Sequence, residues 1–264
     1  MNTVISKDGT AIAYDRRGKG PALVLVDGAL CCRAQGPMPD VAEQLADAFT
    51  VYTYDRRGRG ESGDTSPYDA DREVEDLAAV IEAAGGSAYV YGSSSGAALA
   101  LRAAQAGVAI EKLVAFEPPF VVDASRKPVP SDWVDELRSR EPGPAVKYFM
   151  TKGVGLPGAM VTMMQLMPAW KGLKALAHTL PYDAAVVGSN GSGQPLDAAQ
   201  WAAIDVPVLV VNGGKSPAWM KTSTRELASV VPGAEHHEVP GQMHVIKATA
   251  IAPVIRAFCS GHSL

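Results

Sequence analysis

Short runs of branched apolar residues recur along this chain with helix-length intervals between them, at 22–26, 50–54, 88–91, 112–116 and 207–211. The intervals carry apolar residues at helical spacing, which predicts helices over 39–48, 71–84, 96–106, 217–230 and 249–259. Parallel strands need such a crossover between them, so the alternation leads to an α/β fold: a mostly parallel sheet with helices on both faces. Residues 4–5 and 11–14, around Lys7-Asp8-Gly9, predict an N-terminal hairpin, and 235–239 a last strand. Pro253 is expected in the first turn of the last helix, where it is tolerated better than further in.

One interval breaks the rhythm. About ninety residues separate the strand ending at Phe116 from the one starting at Pro207, far more than a crossover requires. Ser131 can cap a helix running to Arg140, and Pro144 can open another toward Lys152. A Met-rich stretch at 159–167 then leads through Pro168 into a helix ending near Thr179. The Gly- and Ser-rich residues 188–195 read as the loop returning to the sheet. We therefore expect one domain, 1–264, with a helical cap inserted at 121–200. In the cap, Met160, Met163, Met164 and Met167 recur at threes and fours. Packing between cap and sheet is the expected role of that stripe, as it is of Trp133 and Trp170. Methionines also adapt to irregular ligands, which makes Met160 and Met164, with Trp219 beyond the insertion, candidates for lining a substrate pocket.

Composition narrows the function. With 47% hydrophobic residues and a formal net charge of −4, the chain can bury a core. It has no basic tract longer than Arg16-Arg17 or Arg56-Arg57, so nucleic acid is not an expected partner. The scattered Arg and Asp are expected on the surface. Cys31, Cys32 and Cys259 lack metal-ligand spacing, and a reducing cytoplasm is their expected setting. No apolar run approaches the roughly 18 residues of a spanning helix, and no leader pattern opens the sequence, so a soluble protein away from membranes is expected.

The strongest chemical signal lies at 88–100, where an apolar strand meets a small-residue helix across Gly92-Ser93-Ser94-Ser95-Gly96. In Gly-x-Ser-x-Gly the glycines make room for a tight turn that presents the central serine, and that register selects Ser94 as nucleophile. A serine needs a base. His244, in the loop after the last strand, is the expected one; His236 and His237 begin that strand, His178 lies in the cap and His262 in the tail.

With these residues the chain resembles the alpha/beta-hydrolase superfamily over nearly its whole length. Tyr54-Asp55-Arg56-Arg57-Gly58-Arg59-Gly60-Glu61-Ser62-Gly63 looks like the family's strand-end segment, and residues 22–29 like its oxyanion strand and turn, with Asp27 where relatives usually carry histidine. Glu117-Pro118-Pro119, Gly213-Gly214-Lys215-Ser216-Pro217-Ala218-Trp219-Met220 and Gly241-Gln242-Met243-His244 are similar to segments of small bacterial hydrolases. The resemblance implies eight strands, a cap after strand 6 and the nucleophile at the tip of strand 5. It also implies an acid after strand 7, but that loop offers Ser216. A minority of the superfamily carries the acid after strand 6, which points to Glu117, with Asp123 the alternative. Asp205 precedes its strand and belongs at the opposite edge. The oxyanion donors would be the N–H groups of Ala29 and Ser95. The expected activity is cleavage of a small, largely apolar ester, thioester or lactone without metal or cofactor. A noncatalytic small-ligand binder, a carbon–carbon hydrolase and an acyltransferase remain alternatives, and a homodimer is compatible with the sequence.

Overall fold

The computed structural model describes residues 2–262. Eight strands form one sheet: β1 (Asn2–Ile5), β2 (Ala11–Gly18), β3 (Ala22–Val26), β4 (Thr50–Tyr54), β5 (Ala88–Ser93), β6 (Ile110–Phe116), β7 (Val208–Gly213) and β8 (Glu235–Val239). Their order is β1-β2-β4-β3-β5-β6-β7-β8, antiparallel at β1–β2 and β2–β4 and parallel elsewhere. The anticipated hairpin and mostly parallel sheet are both present.

Side chains alternate across the central strands, so both faces are apolar. Leu23, Leu25, Val114, Phe116, Leu209 and Val211 face α1 (Met38–Leu45) and the C-terminal helix. Val24, Val26, Leu113, Ala115, Val208 and Val210 face the opposite layer, which contains α2 (Ala70–Ala83) and α3 (Ser95–Gln105). After β4 the chain crosses over β3 to place β5 on its far side. That reversal opens a crevice beyond the C-terminal ends of β3 and β5, the usual place for a ligand in an open α/β sheet.

The insertion after β6 is helical, as expected, but more broken than the sequence suggests. It comprises α4 (Trp133–Arg138), α5 (Pro142–Tyr148), α6 (Gly158–Met164), α7 (Ala169–Ala175), α8 (Leu180–Val187) and α9 (Ala198–Trp201). The helix expected over 144–152 stops at Tyr148 and continues as a π-helical turn, Phe149–Val154. Gly153 in that turn lies against Trp133, where an added Cβ would come within 2.7 Å of the indole. The expected loop at 188–195 begins as a 3₁₀ turn, Gly188–Gly191. Trp133 and Trp170 do pack inside the cap, with Val146, Val161 and Leu180.

The methionine stripe corrects an expectation. Met160, Met163 and Met167 are exposed, and only Met164 is half-buried against the cap's apolar cluster. Helix α6 turns Val161 and Met164 inward, so the residues one step out of phase face water. Beyond the insertion, α10 (Ala218–Val230) and α11 (Ala248–Ser260) complete the layers. No helix among the described residues is long and apolar enough to cross a membrane.

Candidate active site

Ser94 lies between the last residue of β5 and the first of α3 with φ 56° and ψ −125°, outside the regions favoured for a non-glycine residue. Its N–H donates to Phe116 O at 2.9 Å, fixing the turn to the neighbouring strand. The flanking glycines are required by contact. A Cβ on Gly92 would sit 2.6 Å from Gly96 O, and one on Gly96 would sit 2.3 Å from Val26 O. Gly28, in the turn after β3, lies so close that an added Cβ would be 3.1 Å from Ser94 Cβ and 3.7 Å from its Oγ. Thus the serine hydroxyl and the Gly28-Ala29 turn share the crevice.

Glu117 follows β6 with φ 45°, another uncommon backbone conformation, and its side chain is 0% exposed. Its N–H donates to Val211 O at 3.0 Å. Each carboxylate oxygen has a partner: Oε1 accepts from the N–H of Gly213 at 2.8 Å, and Oε2 lies 2.7 Å from His244 Nδ1. The imidazole also stacks on the Phe116 ring, 6.3 Å between centroids at 19°. The loops after β7 and β8 close together behind it, with Lys215 N–H donating to Gln242 O at 2.8 Å and Gly213 leaving room for the Gln242 backbone. Ser216, where a carboxylate was implied, is buried with its hydroxyl unpartnered. His244 is 33% exposed, and Ser94 Oγ makes no hydrogen bond with it in this state.

The other candidates are engaged elsewhere. Asp123 Oδ1 accepts from Ser125 N–H at 2.9 Å and from the Ser125 hydroxyl, closing a local turn. His236 Nε2 is 2.7 Å from Asn212 Oδ1, joining β8 to β7, and His178 Nε2 is 2.8 Å from Gly58 O. Trp219 is half-buried, and its ring carries the Arg126 guanidinium at 4.2 Å. Among the described residues no group of three or more His, Cys, Asp or Glu is arranged to hold a metal ion.

The expectation that the arginines and aspartates lie on the surface fails at Arg56, Arg57 and Arg59, each about 1% exposed. Arg56 forms a two-pronged pair with Glu73, at 2.7 and 2.9 Å, and donates to Asp183 Oδ1 at 2.8 Å. Arg59 donates to the same oxygen at 2.7 Å and to Gly28 O at 2.6 Å. The Ser95 hydroxyl gives Asp183 Oδ1 a third bond, at 2.7 Å. Burial pushes the Asp183 carboxyl up, but Arg59, Arg56 and Ser95 hold it below the ordinary carboxylate range. Asp27 fares otherwise: burial raises it to about 7 against the pull of Arg59 and Arg56, and its Oδ1 is unpartnered. Burial likewise pushes the nearby Cys31 thiol up to about 12.

A family model described as "Alpha/beta hydrolase family" matches residues 31–253. An alpha/beta hydrolase from Sphaerobacter thermophilus is 51% identical, with a TM-score of 0.89 over 97% of this chain and 100% of that one. An N-formylmaleamate deformylase from Pseudomonas putida is 36% identical over 147 residues, 53% of this chain and 54% of the relative, so the match spans about half its length. An esterase from a Rhodococcus species, 22% identical over 99% of both chains with a TM-score of 0.70, shares the fold. With strand order, turn geometry and sequence match in agreement, the chain belongs to the alpha/beta hydrolase family.

Proposed function

We propose that this chain is a serine hydrolase that cleaves a small, largely apolar carboxylic ester, thioester or lactone through an acyl-enzyme on Ser94. Residues 121–200 form the cap over that site. The observation that carries the reading is the buried Glu117 carboxylate 2.7 Å from His244 Nδ1, on the strand beside the Ser94 turn.

A carboxylate there holds the proton on Nδ1, leaves Nε2 as the base and stabilises the imidazolium formed during reaction. Ser94 Oγ adds to the acyl carbon while its proton passes to His244 Nε2. Charge on the former carbonyl oxygen is met by the N–H groups of Ala29 and Ser95, donors that each contribute roughly 2.7–4 kcal/mol in comparable sites. His244 then protonates the departing alkoxide or thiolate. Water, deprotonated by the same imidazole, attacks the acyl-enzyme and releases the acid. Approach of His244 to Ser94 tightens on substrate binding, as is common for catalytic hydrogen bonds that are long before substrate arrives.

The test is fluorophosphonate labelling together with hydrolysis of p-nitrophenyl esters. Labelling confined to Ser94 and abolished in Ser94→Ala supports the enzyme; an unlabelled Ser94 favours the noncatalytic binder. The match to a deformylase supports a second reading, cleavage of an N-formyl amide by the same residues. Turnover of N-formylmaleamate without turnover of any ester would favour it.

A further inference from the structure

Asp183 comes from the cap, yet three of the hydrogen bonds that reach its Oδ1 come from the strand-tip layer: Arg56 at 2.8 Å, Arg59 at 2.7 Å and Ser95 Oγ at 2.7 Å. Its other oxygen has no partner, and neither does Arg59 Nε. Such an arrangement is poorly satisfied as a self-contained ion pair, since a buried carboxylate normally has both oxygens engaged. Each of the three donors belongs to or touches one of the two turns that face each other at the site, Ser95 following Ser94 and Arg56 and Arg59 reaching the segment after β3. Arg59 also donates to Gly28 O at 2.6 Å and to Cys31 O at 3.3 Å, and Arg56 reaches Asp27 O at 3.3 Å.

Gly28 C=O and Ala29 N–H belong to one planar peptide and point in opposite directions. A guanidinium on the oxygen therefore fixes the direction of the N–H and, by drawing electron density from the amide, makes it a stronger donor. Ser95, the other donor residue, is held through its hydroxyl. We propose that Arg59 and Asp183 are positioning residues for the oxyanion hole: Arg59 orients and polarises the Gly28–Ala29 peptide, while Asp183, arriving with α8, sets Arg59 and Ser95 together. Docking of the cap and assembly of the hole are then one event. This inference rests on the serine-hydrolase reading above, because it assigns the two N–H groups their role.

The experiment measures p-nitrophenyl acetate turnover, fluorophosphonate labelling rate and Tm for Arg59→Lys, Asp183→Asn and Ser95→Ala. Arg57→Lys is the control for loss of a buried ion pair, because Arg57 bonds Asp76, Asp8 and Thr10 and does not touch the turn. The three variants are expected to lower kcat about tenfold to hundredfold, with KM held within about twofold and labelling slowed in parallel, the pattern of an interaction made in the transition state. Arg57→Lys is expected to lower Tm alone. Wild-type kcat in Arg59→Lys or Ser95→Ala, with only Tm reduced, overturns the proposal. These two variants decide the matter even if Asp183→Asn does not fold. Failure of the underlying reading looks different: wild-type protein would not label at Ser94, or Ser94→Ala would retain turnover.

Discussion

At the strand tips the candidate side chains are held by sheet backbone, with Ser94 N–H on Phe116 O, Glu117 N–H on Val211 O, and Glu117 0% exposed. In the cap the seven-residue α6 buries one side chain, Val161, while Met163 is 71% and Leu166 88% exposed. The difference separates two demands. Chemistry requires groups placed to a fraction of an ångström, which rigid strands supply. A cover over the site needs lower local stability, which short helices with few buried contacts supply.

The sharpest way to break this comparison is at the tips. Ser94→Ala is expected to lower kcat by about 10⁴-fold or more. Retention of p-nitrophenyl ester turnover would remove the tips from the chemistry. Glu117→Gln is expected to cost about 10³- to 10⁴-fold in kcat, since the amide no longer holds the His244 tautomer. The same loss in Asp123→Asn with full activity in Glu117→Gln would move the acid toward the cap.

Next in size is the pH dependence set by Asp27. Its carboxyl holds a proton up to about 7 when folded, against 3.8 in its ordinary setting. Between those values the folded state binds the extra proton, so stability falls as pH rises, with a limiting slope of about 1.4 kcal/mol per pH unit. Asp27→Asn is expected to remove that fall, read from urea unfolding across the same range. Gly96→Ala, whose Cβ would lie 2.3 Å from Val26 O, is expected to cost about 1–3 kcal/mol by overpacking. Met163→Gln is expected to change stability by no more than about 0.5 kcal/mol, because the side chain faces water. A larger loss would show that the outer face of the cap is packed.

The legible part of the molecule is the part governed by local periodicity. Runs of branched apolar residues along 22–26, 112–116 and 207–211 report burial on two faces, and the strands formed there. Glu117 was legible through the absence of a carboxylate at Ser216, and its position beside His244 depends on β6 and β7 being neighbours. Helix α8 was missed because Leu180–Val187 is apolar almost throughout and presents no amphipathic stripe. Asp183 within it fell under the general expectation that scattered charges lie on the surface, and it is buried. Its partners Arg56 and Arg59 lie more than a hundred residues earlier, and no spacing rule joins residues across a sheet and a cap. The methionines misled in the opposite sense: helical spacing reveals a face but not whether it turns inward.

The placement of Asp183 bears on how such proteins diversify. Its guanidinium partners belong to the strand-end segment, so the insertion is not a freely exchangeable module. A cap without an acid at this position of α8 would leave the buried Arg59 without a carboxylate partner and Arg56 with Glu73 alone. In this chain the cover and the sheet are thereby tied through one carboxylate, however much the remaining surface of the insertion drifts.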